Sequence, residues 1–170
     1  MTATNWYYEV NDYCLTLSEA YGIPLIKVAG ILSALSPNNT FKGNCNSLEK
    51  FLEFKTDCKV STFNGQKEKA KQIYNMVEPT ESKIKAVLGG LKTQAFFCNI
   101  YQPYTSESVC IDLWMIRYAR RLKLIPQEGT LTPKRYGIVE QAVREYADKL
   151  NLRPHEAQAL IWVDIRGSQW

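Results

Sequence analysis

The chain has 170 residues, 45% hydrophobic and 22% charged, with a formal net charge of +4. Aromatics at 12% and so small a net charge exclude disorder as the dominant state, and a chain of this length buries roughly two-thirds of the surface its unfolded form exposes. No apolar run reaches the ~18–20 residues that span a bilayer, and the N-terminus lacks a basic patch followed by an apolar segment. A single cytoplasmic domain over residues 1–170, outside any membrane, is the expectation.

Almost every segment carries helical spacing. Leu15 to Tyr21 reads as helix and is stopped by Gly22-Ile23-Pro24. Pro24 to Ala34 has apolar residues at helical intervals and ends near Ser36-Pro37. Gly43 to Phe54 is amphipathic, with Leu48, Phe51 and Leu52 on one face. Gln66 to Val77 is a basic helix opened by Asn64-Gly65. Thr80 to Leu88 lacks a capping box, but Pro79 and Glu81 suit its first turn. Gly89-Gly90 breaks the helix and Leu91 to Tyr101 resumes it. Ile111 to Leu124 follows, then a Pro/Gly/Thr loop from Pro126 to Pro133. Tyr136 to Leu150 and Pro154 to Ile165 complete the set. Alternating strands are missing, so an all-α fold of about eight to ten helices is expected.

The charge is unevenly placed. Residues 61–125 carry ten basic against five acidic side chains, while residues 1–60 run slightly acidic and residues 126–170 balance. One positive third is the footprint of a polyanion binder, and a set of solvated helix faces is the plainer reading of the charge alone. The five cysteines, Cys14, Cys45, Cys58, Cys98 and Cys110, contain no C-x-x-C pair, so reduced and mostly buried thiols are expected. His155 is the only histidine, which excludes a two-histidine metal site. Catalysis, if present, is expected to use carboxylate, lysine or hydroxyl groups without metal or other cofactor.

The most informative stretch is Ile84 to Phe96, where two short helices meet at Gly89-Gly90. Glycines there permit a positive φ and let a phosphate approach the amides that open the second helix, and an ordinary tight helix–helix corner has the same composition. Four blocks stand in order along the chain: Ile31 to Thr40 (ILSALSPNNT), Phe63 to Ile73 (FNGQKEKAKQI), Leu88 to Ala95 (LGGLKTQA) and Cys110 to Trp114 (CIDLW). Together they resemble the helix-hairpin-helix DNA glycosylases of the endonuclease III and 8-oxoguanine glycosylase superfamily, over roughly residues 26–125. Lys92 and Asp112 stand 20 positions apart, close to that family's separation of its hairpin lysine and its aspartate.

The resemblance implies a compact all-α glycosylase-like domain with its hairpin at about 80–101, acting as a monomer on duplex DNA with a flipped base. It implies base excision by cleavage of the N-glycosidic bond, with strand cleavage through a lysine Schiff base. Asp112 would be the carboxylate that stabilises the cationic transition state; as a plain helix N-terminal acid it would gain from the dipole alone. Lys92 would be the nucleophile, and the same position suits a phosphate-contacting lysine. Gly89, Gly90, Leu91 and Thr93 would grip DNA, and Pro37 to Phe41, with Asn38 and Asn39, would be the wedge or a plain loop. Trp114 would stack on the extruded base or fill core.

Departures from the family pattern are clear. The hairpin is two residues shorter than L-P-G-V-G-x-K, no cysteine follows Cys110 to hold an iron–sulfur cluster, and Trp114 stands where histidine is common. The tail from Pro154 to Gly167 has no counterpart, although Arg166 is a possible phosphate or substrate contact. A non-catalytic DNA-binding module and an enzyme that remodels hypermodified phage bases are the alternative readings.

Overall fold

The computed structural model describes residues 2–55 and 58–166, and within them the fold is all-α. A short 3-10 turn, Ala3–Asn5, leads into α1 (Trp6–Tyr21), α2 (Leu25–Leu35), α3 (Phe41–Phe54), α4 (Asn64–Tyr74), α5 (Glu81–Leu88), α6 (Leu91–Tyr101), α7 (Leu113–Arg121), α8 (Pro133–Leu150) and α9 (Pro154–Arg166).

Helix α2 is the hub. Its residues Val28 to Leu35 are all buried, and α1, α3, α4, α5 and α6 pack around it. An apolar run without a polar stripe is what a fully surrounded helix needs. Gly30 marks the closest approach: a Cβ there would stand 3.0 Å from Ile84 Cγ2 and 3.2 Å from Ile73 Cγ2, so glycine lets α4 and α5 close onto α2. Ser33, also buried, returns its hydroxyl to the carbonyl of Ala29 at 2.8 Å.

A second apolar cluster joins Val109, Ile111, Met115, Ala119, Ile125, Val139, Val143 and Ile161, from α7, α8, α9 and the segments on either side of α7. The 3-10 turn and α1 contact α9, so the first and last described helices meet where the two clusters adjoin. Trp6 of the first cluster meets Trp162, packed on the second, at a centroid distance of 5.9 Å.

Several boundaries differ from the sequence reading. Helix α1 begins at Trp6 rather than Leu15, because Asn11 occupies a buried position and spends its amide on the carbonyls of Ile100 and Tyr101, hiding the apolar period. Helix α4 starts at Asn64 and stops at Tyr74, where Lys27 Nζ donates to the Tyr74 carbonyl. Thr80 caps α5 through its hydroxyl, which accepts from Lys83 N–H, although the second half of a capping box is missing. Helix α7 is shorter at both ends than expected, and α8 starts at Pro133 behind the cap Thr132. The thiols of Cys14, Cys58, Cys98 and Cys110 are buried, and Cys45 is half-buried.

Candidate functional site

The two short helices at Gly89-Gly90 are closed by side chains. Gly89 sits at φ +77°, ψ −51°, a conformation that strains any residue with a Cβ, and its N–H bonds the carbonyl of Lys85 at 3.0 Å. Gln94 reaches back from α6, donating its amide to Lys85 O at 3.0 Å and Gly89 O at 3.2 Å. Lys69 Nζ donates to Leu88 O at 2.7 Å, placing a cation at the C-terminus of α5 where the helix dipole favours one. These side chains add second bonds to the Lys85 and Leu88 carbonyls, which already accept from Gly89 and Gly90 N–H, and give Gly89 O its donor.

Gly90 has no side chain to cap α6. Among the described residues, the amides of Leu91, Lys92 and Thr93 make no hydrogen bond, while the Thr93 hydroxyl donates to Gly90 O at 2.9 Å. Leu91 (62% exposed) and Lys92 stand open at the surface. Lys92 lies one turn before Phe96, on the same face of α6.

Asp112 is the N-cap of α7. Its Oδ1 accepts from the N–H of Trp114 at 2.9 Å and from Met115 N–H at 3.0 Å. The side chain is half-buried, and burial raises its pKa above the ordinary carboxylate value. The two N–H donors and the positive charge of Lys92 pull the other way, and burial wins. Asp112 is therefore the N-cap of α7 rather than an acid within its first turn, and Oδ1 alone accepts both amides.

Cys110 links the backbone of Lys92 to the segment that ends in Asp112. Its thiol donates to the carbonyl of Lys92 at 3.5 Å, and it stands two residues ahead of Asp112. Its backbone N–H donates to Gln158 Oε1 on α9 at 2.9 Å, and Gln158 in turn directs its amide at Tyr7 Oη on α1, 3.5 Å away. Burial pushes the Cys110 thiol up to about 12, helped by the negative charge of Asp112. Tyr7 is likewise raised by burial. Tyr7 and Gln158 escaped the sequence reading, and Cys110 was read there only as a buried thiol at the head of one block. The available signal was Gln158 itself, a polar residue on the apolar stripe of α9 between Pro154 and Ile161.

The loop from Pro37 to Thr40 lies beside the same region. Asn38 is exposed at φ +53°, while Asn39 is half-buried with its amide toward Leu35 O at 3.5 Å. Thr62 Oγ1 anchors the loop by donating to Pro37 O at 2.8 Å. Phe41, which follows the loop, meets Trp6 at 4.9 Å, and Trp6 stacks on Phe96 at 6.1 Å, so the loop and the Lys92 face of α6 share one aromatic cluster. Trp114 packs on the second core cluster with the Arg117 guanidinium 4.5 Å above its ring. Arg166 sits over Trp162 at 5.1 Å, and Gly167 lies outside the described residues.

Structure changes the meaning of the basic third. Lys67, Lys69, Lys83 and Arg120 donate to backbone carbonyls, which leaves their charge in place, whereas Lys71, Lys85 and Arg121 pair with Glu68, Glu81 and Asp164. The positive field survives, and most of its sources are held to the fold rather than extended as a loose fringe.

His155 is fully buried, with its Nε2 2.7 Å from the carbonyl of Pro103 and Tyr7 and Tyr8 against its ring. Burial lowers its pKa, so it is a neutral core histidine. A cleft of about 450 Å³ near α8 and α9 is lined by none of the candidate residues, and its Arg153 is already paired with Glu107.

A family of unknown function (DUF7178) has a model that matches residues 1–169. No curated protein and no solved structure matches the chain.

Proposed function

The chain belongs to the DUF7178 family, and for it we propose a DNA glycosylase that releases a damaged or modified base and then cleaves the strand as a lyase. The observation that supports this reading is the convergence of Lys92 and Asp112, distant in sequence, through the Cys110 thiol on the Lys92 carbonyl. An amine and a carboxylate beside one seam are the two groups that N-glycosidic cleavage needs.

In this reading the neutral Lys92 amine donates its lone pair to C1′ of the deoxyribose. The N-glycosidic bond breaks, the base leaves with the bonding pair, and a solvent proton neutralises it. Positive charge accumulates on the sugar as that bond breaks, and the Asp112 carboxylate offsets it. The attached nitrogen gives up a proton as the C1′–O4′ bond breaks and O4′ takes one up, which leaves an iminium; loss of a 2′ proton expels the 3′ phosphate by β-elimination, and water hydrolyses the imine to free Lys92.

DNA would be held by the open amides of Leu91, Lys92 and Thr93, with Gly89 and Gly90 allowing the close approach and Lys69 adding charge at the same turn. Seating a duplex there covers Lys92 and removes water from its amine. The loop at Asn38 and Asn39 would hold the duplex open while the target base is extruded, a step that costs a few kcal/mol. Trp114 stacks on that base only if Arg117 leaves its ring face.

A base-release screen across damaged and phage-type modified duplexes, with released nucleobases identified by mass spectrometry, tests the proposal. Release by the wild type and loss in Asp112→Asn is the expected result. The second reading, a module that holds DNA without cutting it, is favoured by the use of Asp112 as a helix cap. It predicts salt-dependent DNA binding that survives Asp112→Asn and no base release from any duplex.

A further inference from the structure

We infer that Gln158 is a positioning residue for the Lys92–Asp112 pair, acting through the peptide of Cys110; the inference rests on the glycosylase reading for its catalytic meaning. The segment from Ser106 to Asp112 is neither helix nor strand, yet Val109, Cys110 and Ile111 are each 3% exposed. Backbone amides in such a segment need partners, because a buried unpaired N–H costs about as much as a lost hydrogen bond. Cys110 N–H finds its partner 48 residues away in Gln158 Oε1, at 2.9 Å.

Gln158 is itself 6% exposed, on a helix whose neighbouring buried residues are Ala157, Ala159 and Ile161. A glutamine is retained on such a face at a desolvation cost unless both ends of its amide are used. Both ends are used here: Oε1 accepts from Cys110, and Nε2 points at the buried phenol of Tyr7. One side chain thus ties α9, α1 and the segment that ends in Asp112.

Cys110 has its thiol beside Gln158 and Tyr7, and the thiol also reaches the carbonyl of Lys92. Its peptide is therefore fixed from two sides, by Gln158 on α9 and by the first turn of α6. Two residues later the chain reaches Asp112, whose Oδ1 is held by the first amides of α7. Freeing the Cys110 peptide leaves the cap intact but releases the register between the lysine and the carboxylate. A displacement of about 1 Å in such a pair costs up to ~10²-fold in rate.

The test compares Gln158→Met, which fills the volume without an acceptor, with Gln158→Glu, which keeps an oxygen for the Cys110 amide. On a duplex that the wild type processes, Gln158→Met is expected to lower kcat by about ten- to a hundredfold with KM for DNA unchanged, and Gln158→Glu to recover most of it. A wild-type kcat in Gln158→Met overturns the inference, as does a loss confined to KM. A second readout needs no activity: amide exchange at Cys110 and the NMR titration of the Asp112 carboxyl in the same variants. Faster Cys110 exchange with a shifted Asp112 titration in Gln158→Met, reversed in Gln158→Glu, supports the tie; unchanged values overturn it. Failure of every duplex to yield a base in the wild type defeats the glycosylase reading alone, and the two NMR measurements then decide the positioning claim.

Discussion

Replacing Asp112 separates what the residue does for the fold from what it does for chemistry. In the structure its Oδ1 satisfies two amides at 2.9 and 3.0 Å, so alanine leaves both open. Loss of an N-cap costs about 1 kcal/mol, within a range of ~0.5–2 kcal/mol, and a chain of this size loses roughly 2–4 °C in Tm per kcal/mol. Asparagine caps about as well as aspartate. It forfeits the charge–dipole attraction, worth ~0.3–1 kcal/mol, and escapes the desolvation that raises the Asp112 pKa, two effects of opposite sign. Asp112→Asn is therefore expected to melt within about 2 °C of the wild type, and Asp112→Ala about 2–4 °C below it.

Both variants lose the negative charge, so both should lose roughly 10²–10³-fold in base release, the size seen when one preorganised electrostatic group is removed. The pH dependence has a definite sign. Since the folded pKa lies above the unfolded value, ionised Asp112 opposes folding, and wild-type stability gains on Asp112→Asn as pH falls through the folded pKa toward about 3.9. Base release, which needs the carboxylate, fades over the same interval, so its acid limb lies above the ordinary aspartate value. Scanning calorimetry and single-turnover base release on the three proteins make the comparison. An Asp112→Asn protein that melts like the wild type and keeps its rate within a few-fold would refute the catalytic role and leave only the cap.

Three further outcomes follow from the geometry. Gly89→Ala places a Cβ at φ +77° and is expected to cost about 1–3 kcal/mol, read as a lower urea midpoint; an unchanged midpoint would mean that the turn adopts another conformation. Cys110, buried and pushed up to about 12, should resist alkylation at pH 8 in the folded protein and react on unfolding, as peptide mass spectrometry would show. Lys69→Ala should weaken DNA binding across sequences and lower the slope of log affinity against log salt by about 1; an unchanged slope would confine Lys69 to capping α5.

Much of the fold is legible where local chemistry and tertiary packing agree. The apolar run of α2 announces a surrounded helix, and Gly89-Gly90 announces a break, because each carries its own signal in neighbouring residues. The early part of α1 does not, since Asn11 is buried against carbonyls of α6 that lie 89 and 90 positions away. The start of α8 was readable from Thr132-Pro133, a cap followed by a proline at the first helical position, but the surrounding Pro/Gly/Thr composition masks it.

The candidate site divides in the same way. Lys92 and Asp112 stand out because residue type and position beside a helix start suggest chemistry. What joins them, the Cys110 thiol and the Gln158 amide, depends on α9 folding back across the seam, and no spacing rule reports a contact over 48 residues. The basic third was legible as charge, but the anchoring of Lys69 to the end of α5 emerges only with the packing of α4 against α5.

The central claim is that the Lys92 amine forms a covalent bond to the sugar of a released base. Borohydride reduction during reaction with a processed duplex should trap a protein–DNA adduct in the wild type, with peptide mapping placing it on Lys92 and with Lys92→Ala forming none. Equal trapping by Lys92→Ala, or a map that places the adduct on another residue, would contradict it.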